Sequence, residues 1–541
     1  MLFQNSIHNY HLIITQVKFF KAFTIILFFI LPVFLLAQSE NIDLEVMAKI
    51  RNEGLQHSKV MDIAFHVTEV CGPRVTNSTG FMCAANYAKD QLTQWGLINS
   101  RLDPWGDFGK GWDLKKSYVA MTAPWYRSLI AYPKTWSSGT KGLKSCGVLL
   151  VTAKDSIELN AYRGKLKGKV LIIDDLIPFD PEWKESPVRR TDEELKEMSE
   201  LTEAENMAAL RRRMERNRAQ NGISREVLTT IKKMAVQEGA IALLSSAADN
   251  NSGTIFVLQA GPYKISDPAN FLDIAIGLED YNMIVRLLRN NTPVKMDVEV
   301  KTTFQSKDIK GYNVIAEIQG LDPNLKDEIV MLGAHLDSWP AANGATDNAA
   351  GVSAMMEAIR ILKAIDIKPR RTIRIALWSG EENGLLGSRG YVKKTFGDQE
   401  TLKLWPAYDK LSAYFNLDYG TGKILGISLQ GNEAARSIFE KWFVPFHDLR
   451  AKTVTIQKLG STDHVSFDAI GLPGFQFIQD RLRFQHSNMD SYDHLSPDDL
   501  KQSATIVAAF VYNAAMRDQK LPRKEFPKPE LIDPTTGFKK Q

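Results

Sequence analysis

Seven side chains able to bind metal or move protons recur in short polar clusters, each at the edge of an apolar run. They are His335 and Asp337 in GAHLDS, Asp347 in ATDNAAG, Glu381 and Glu382 in WSGEENG, Asp418 in NLDYG, and His486 in HSNMDSYDHL. Gathering so many carboxylates is costly unless a cation lies between them, because like charges raise each other's pKa and repel. Imidazole ligands suit zinc, whereas magnesium and calcium prefer shells of oxygen alone. His335, Asp347, Glu382, Asp418 and His486 are too many ligands for one open tetrahedral ion. They suit two Zn2+ per chain with Asp347 shared as a bridge. Neighbours on a strand face opposite ways, so Glu381 and Glu382 can serve one site only from a turn; Gly380, Asn383 and Gly384 supply its flexible backbone. One of the pair can then bind metal while the other accepts a proton, the minimal equipment for hydrolysis by an activated water. Asp337, two residues after His335, is expected to hold the second imidazole nitrogen as an outer acceptor.

These residues need a rim to sit on. Residues 312–318, 327–332, 372–378, 411–417 and 475–478 read as short strands. Helices are expected over 346–365, with Asp347 at its start, over 385–394, and over 496–516. The last has Ser496 as N-cap, Pro497 at the first position and Asp498 and Asp499 in the first turn. The alternation predicts an α/β fold: a mostly parallel mixed sheet with helices on both faces, ligands binding at the carboxyl ends of its strands. Residues 42–97 read as helical around the turn CGPRVTNSTG, whose Arg74 is a candidate functional residue, though an exposed loop arginine is usually only solvated. From 116 onward the texture changes to short β-like runs at 146–152, 169–175 and 255–258. The organisation expected is a discontinuous main domain, 38–124 and 306–518, around a β-rich unit, 125–305, with a charged helical excursion at about 182–233. The proline-bearing stretch 519–541 is expected to be an extended, poorly ordered tail.

A chain of 541 residues exceeds one compact core. Hydrophobic residues at 44% and charged residues at 24% are ordinary for globular proteins, and a net charge of +4 gives no sign of a nucleic-acid surface. The three cysteines form no metal module. Cys71 and Cys83 are the nearest pair that could bridge in an oxidising compartment, but the preferred reading is small buried hydrophobes. Lys18 and Lys21 precede an apolar run, 22–37, that ends in Leu35-Leu36-Ala37. This predicts a signal peptide over 1–37, export to the periplasm or the exterior, and no stable membrane insertion once it is removed. No G-x-S-x-G element points to a serine hydrolase.

On GAHLDS, GATDNAAG, SGEENGLLGS, NLDYG and HSNMDSYDHL the chain resembles the co-catalytic zinc exopeptidases. These include bacterial secreted aminopeptidases, plasma glutamate carboxypeptidase and glutamate carboxypeptidase II. The resemblance runs over about 41–517, with GPRVTNS near its start, and AYRGKLKGKVLIIDD (161–175) resembles the protease-associated domain inserted in some members. It implies His335, Asp347 and Asp418 as ligands, Asp347 bridging, Glu381 as general base and Glu382 as a ligand. His486 is implied as the last ligand in preference to His494, because a short polar run and Asp490 follow it. Ser461-Thr462-Asp463-His464 is similar to another family segment, so Asp463 and His464 are expected to border the substrate pocket; the alternative for His464 is a structural hydrogen bond. Tyr492 is a further candidate for substrate contact, whereas His57, His66 and His447 have no partner pattern. The implied reaction is hydrolysis of a terminal peptide bond, with water deprotonated by Glu381. An aminopeptidase comes first, a dipeptidase or glutamate-type carboxypeptidase second. A single-zinc glutaminyl-cyclase-like acyltransferase and a non-catalytic receptor-like ectodomain are the rivals of other classes, and the intact ligand set argues against both.

Overall fold

The structure, a computed structural model, describes residues 40–178, 189–208, 225–418, 420–480 and 484–526. The expected signal peptide, residues 182–188 and 209–224 of the charged stretch, and 527–541 of the tail lie outside the described residues.

Eight strands form the first sheet: β1 (Ile98–Asp107), β2 (Lys310–Ile318), β3 (Ile329–His335), β4 (Thr372–Trp378), β5 (Leu411–Asn416), β6 (Gly426–Ser428), β7 (Thr453–Thr455) and β8 (Gly474–Ile478). They lie in the order β1-β2-β4-β3-β5-β8-β6-β7. The middle four, β4, β3, β5 and β8, are mutually parallel, and antiparallel pairings flank them. Every residue of β3, β5 and β8 is buried, which their continuous apolar runs demand of strands covered on both faces. One cover consists of α1 (Leu44–Gln56), α3 (Ala350–Ala364) and α6 (Pro497–Met516). Between β3 and β4 α3 makes the crossover, and Gly54 of α1 lies so close that a Cβ there would stand 2.2 Å from Thr505 Oγ1 of α6. On the other side Trp378, Tyr391, Phe396, Tyr414 and Phe467 form an aromatic core that holds α4 (Leu386–Thr395) and the short α5 (His464–Asp468). This is the α/β fold expected, a mixed sheet with helices on both faces. Ser496 caps α6 as its Ser-Pro-Asp-Asp start predicts, its Oγ accepting from Asp499 N.

A second eight-stranded sheet is built between β1 and β2. Its order is Arg127–Ser128, Gly111–Ala123, Lys295–Gln305, Lys144–Val151, Val170–Ile173, Ala242–Ser245, Asp273–Ile276 and Ala131–Pro133. Val170 and Ile172 face a cluster with Ile284 and Val285 of the helix Leu278–Arg289. Leu171 and Ile173 face Val227, Ile231 and Met234 of the helix Arg225–Glu238. Helices therefore cover both faces, as the alternation along that strand requires.

Three local expectations are corrected. Regular helix begins at Ala350, not at Thr346: the preceding turn holds Asp347 at φ −134, ψ 90, outside helical conformation. Cys71 and Cys83 are disulfide-bonded, because the turn before α2 (Thr79–Gln94) brings their Cα atoms to 5.5 Å; Cys146 is free. Residues 519–526 lie on the body instead of extending free, with Leu521 buried, its N–H on Ser412 Oγ, and Arg523 donating to Tyr408 O. Among the described residues no helix is long and apolar enough to cross a membrane.

Candidate active site

The central strands end at one rim, and each end or the loop beyond it delivers chemistry. His335 is the last residue of β3. Glu381 and Glu382 occupy the turn after β4, where Gly380 takes φ +64 and Glu381 O accepts from Gly384 N. Asp418 follows β5 by two residues, and His486 lies in the loop after β8. Asp347 enters from the turn before α3. Gly344 opens that turn at φ +58, where a Cβ would stand 2.4 Å from Ser338 Cβ, so only glycine fits.

The geometry centres on Asp347. One of its oxygens lies 3.0 Å from His335 Nε2, the other 2.9 Å from His486 Nε2. Each imidazole nitrogen has a second carboxylate: Asp418 Oδ1 at 3.1 Å from His335 Nε2, and Glu382 Oε2 at 3.1 Å from His486 Nε2. Donor atoms of His335, Asp347 and Glu382 all lie within 4.8 Å of one another, the spacing of a metal site. Glu382 Oε1 is buried and has no hydrogen-bond partner. A buried orphan oxygen among His and carboxylate donors fits a cation, and the nitrogen–oxygen donor set fits zinc.

Electrostatics give the same picture. Burial pushes the Glu381 carboxyl well above the ordinary range, and Asp418 and Glu382 add to it. Burial and Asp347 carry Glu382 to about 7. Burial favours protonation of Asp347 too, but hydrogen bonds from His335 and His486 outweigh it and hold this carboxyl well below the usual range. Burial opposes charge on His486, yet Glu382 and Asp347 raise it to about 11.

Asp337 acts differently from expectation. His335 Nδ1 lies 3.0 Å from the main-chain oxygen of Asp337 and 3.7 Å from its carboxylate, too far for a hydrogen bond. The carboxylate turns instead to the glutamate turn, Oδ1 accepting from Glu381 N at 3.2 Å and Oδ2 from Glu382 N at 3.3 Å and Thr76 Oγ1 at 2.9 Å. One aspartate thus orients the imidazole through its backbone and the adjacent glutamates through its side chain.

The remaining candidates divide. Asp463 is buried near the cluster with both oxygens unpartnered; burial, with Asp418 and Asp337 adding to it, lifts it to about 8. His464 points elsewhere, its Nε2 donating to Leu459 O at 2.9 Å, and burial lowers it to about 4, so it is a neutral structural group. Tyr492 is not brought to the ligands: its hydroxyl is 3.4 Å from Met61 O and its ring meets Phe65 edge-on. His494 sits against Phe484 and Ser491, away from the carboxylates that His486 meets.

Three contributors were not legible as such. Arg74 is fully buried, not solvated, and donates to the main-chain oxygens of Leu336, Asn343 and Gly344, bracing the loop between His335 and Asp347. Asp490 accepts from Thr346 N and Asp347 N and so holds the backbone of the shared carboxylate. Trp339 Nε1 donates to Glu382 Oε2 at 2.7 Å. The spacing from His486 to Asp490 was a signal for the second; nothing in the sequence singles out Trp339.

Residues 313–511 match the family model Peptidase family M28. Carboxypeptidase Q of Mus musculus is 28% identical over 295 residues, 53% of this chain and 59% of the relative. Aminopeptidase YwaD of Bacillus subtilis is 30% identical over 203 residues, 36% and 42% of the two chains. The matched region therefore spans little more than half the length of the first of these relatives and less of the second. A peptidase M28 precursor from Shewanella amazonensis shares the fold with a TM-score of 0.62 at 23% identity, over 90% of this chain and 98% of that one. BSAP, a zinc aminopeptidase from Bacillus subtilis, shares it with a TM-score of 0.53 at 19% identity, over 85% and 95%. The stretch matched by the Peptidase family M28 model, residues 313–511, includes His335, Asp347, Glu381, Glu382, Asp418 and His486.

Proposed function

We propose that this chain is an exported zinc exopeptidase, an aminopeptidase by first assignment, that hydrolyses terminal bonds of peptides. His335, Asp418 and one oxygen of Asp347 would hold one Zn2+, and His486, Glu382 and the other oxygen of Asp347 a second. The observation that carries this reading is the approach of His335 and His486 to opposite oxygens of one carboxylate, each histidine with a further carboxylate of its own. When bound, the two ions supply Lewis acidity, polarising the scissile carbonyl and making water acidic at neutral pH.

The rest is done by the chain's own side chains. Glu381 projects from a turn whose N–H groups are fixed by Asp337, and burial raises its affinity for a proton, which favours taking one from water. It takes the proton of the attacking water and returns it to the leaving amine. The Asp337 main-chain oxygen accepts from His335 Nδ1–H, leaving Nε2 free as a ligand. Trp339 fixes the rotamer of Glu382. Asp463 is proposed to border the substrate pocket, close to Glu381.

Export is supported by the charged and apolar N-terminus and by the Cys71–Cys83 bridge, which belongs to oxidising compartments. The second sheet supports a protease-associated-like insertion in a discontinuous peptidase domain, and its strand Gly111–Ala123 argues for a boundary before 111 rather than at 125. Carboxypeptidase Q among the relatives makes the opposite polarity the second reading. A panel of free, N-blocked and C-blocked peptides, with zinc content measured before and after chelation, tests both. We expect two zinc ions per chain and cleavage abolished by N-blocking. Cleavage lost on C-blocking alone establishes the carboxypeptidase, and chelator-insensitive cleavage overturns the metal reading.

A further inference from the structure

Of the proposed ligands that follow strands of the first sheet, His486 lies farthest from its strand end. It lies in the loop after β8, and its backbone is left-handed at φ +61, a conformation that residues other than glycine rarely adopt. Something outside the first sheet holds it there. Val257, between two strands of the second sheet, donates its N–H to His486 O at 3.0 Å. Two residues along, Asn488 grips the same segment three times. Its N–H donates to Ile255 O at 3.0 Å, its Oδ1 accepts from Ile255 N at 2.7 Å, and its Nδ2 donates to Gly253 O at 3.0 Å. Phe256 and Ser487 pair antiparallel between these contacts.

The gripping segment is itself anchored. Ile255 and Val257 are fully buried in a cluster with Ala275 of the second sheet and Ala341 of the loop joining His335 to Asp347. Phe256 N–H is taken by Asn250 Oδ1 at 2.9 Å, and Thr135 N donates to Leu258 O at 3.2 Å.

We propose that the second sheet is a working part of the metal centre: the segment 253–257 clamps the loop 484–490, and Asn488 is the positioning residue that presents His486. The proposal rests on the reading of His486 as a zinc ligand. A ligand held from one side of the site predicts an asymmetric consequence when the clamp is loosened. The His486 imidazole would lose its orientation toward Glu382 and Asp347, while His335 and Asp418, carried by β3 and the end of β5, would not.

The test uses the full chain and its Asn488→Ala and Asn488→Asp variants, with zinc binding followed by calorimetric titration and amide hydrogen exchange followed in the metal-free chain. Asn488→Ala is expected to weaken one of the two zinc sites by ~10–100-fold, the usual cost of losing an outer-shell partner, and to leave the other unchanged. Amides of Ile255, Val257 and Asn488 lose protection while those of β3 keep it. Asn488→Asp retains an acceptor for Ile255 N–H and loses the donor to Gly253 O, so a smaller loss at the same site is expected. Equal weakening of both sites means a general stabilising role and overturns the proposal, as does unchanged binding with unchanged exchange. Should the wild-type chain bind no zinc, the metal reading fails on its own. The exchange pattern then decides the clamp: selective loss of protection in Asn488→Ala sustains it, and unchanged protection removes it.

Discussion

Glu381 and Glu382 are chain neighbours given different tasks by their surroundings. Glu382 is committed, its Oε2 taken by Trp339 and lying 3.1 Å from His486 Nε2. Glu381 has its backbone held by Asp337 and its carboxyl pushed well up by burial. Replacing Glu381 with Gln keeps the shape and removes the proton acceptor. The expected result is a fall in kcat of ~10²–10⁴-fold, the range for a general base, with zinc content unchanged; steady-state kinetics and metal analysis check it. Retained turnover rejects Glu381 as the base. At this scale the sequence was most legible, since the five proposed ligands and Glu381 lie at strand ends, in the loops beyond them or at a helix entry, and announce themselves by type. His464 and Tyr492 show where type runs out. A buried imidazole facing a carbonyl and a tyrosine packed on Phe65 look the same in sequence as pocket residues.

Among the elements, the turn from Cys71 to Cys83 does more than join two helices. It carries Arg74, which braces the loop between His335 and Asp347, and Thr76, which meets the Asp337 carboxylate. The disulfide closes this turn across a sequence separation of 12 residues. Replacing both cysteines with serine is expected to lower stability by ~2–4 kcal/mol, read as a fall in the chemical unfolding midpoint. An unchanged midpoint would mean that packing alone holds the turn. Its sequence marks it as a turn, but Arg74 reads as an exposed loop residue, because three of the carbonyls it satisfies come from residues more than 260 positions away. The irregular backbone at Asp347 was hidden for a similar reason. Its N–H bonds to Asp490, and no helical periodicity encodes that.

Across the whole molecule, the site is a buried acid cluster on which the metal-free chain must spend stability. Burial raises Glu382 and Asp490 to about 7 and Asp463 to about 8. A carboxyl with a raised folded pKa contributes stability that is full below its unfolded pKa and gone once pH has risen through the folded one. From about pH 5 up to the folded value, about 7 for Glu382 and Asp490 and about 8 for Asp463, each group therefore costs the metal-free chain up to ~1.4 kcal/mol per pH unit. His486, raised to about 11, contributes in full only below its ordinary value of about 6.5 and progressively less above it, whereas Asp347, whose pKa is lowered, contributes throughout. Zinc binding strengthens as pH rises, because its ligands must be deprotonated. The gap in thermal midpoint between zinc-loaded and chelated chain should widen from pH 6 to pH 8, as scanning calorimetry in matched buffers can measure. A gap that narrows contradicts the placement of these carboxylates.

The amino-acid sequence by itself determined the α/β alternation, the rim at which the strands end, and the identities of both histidines and the carboxylates around them. Those follow from local signals: apolar runs, caps, and polar residues at the ends of strands. Only the tertiary structure decided that Asp337 serves the glutamate turn with its side chain, that Arg74 is buried, and that Cys71 meets Cys83. It alone paired the His486 loop with Ile255 and Val257. The physical reason is the same in each case. A hydrogen bond, a disulfide or a burial energy belongs to a pair of groups, and a linear chain shows each partner without showing which other segment will be folded against it.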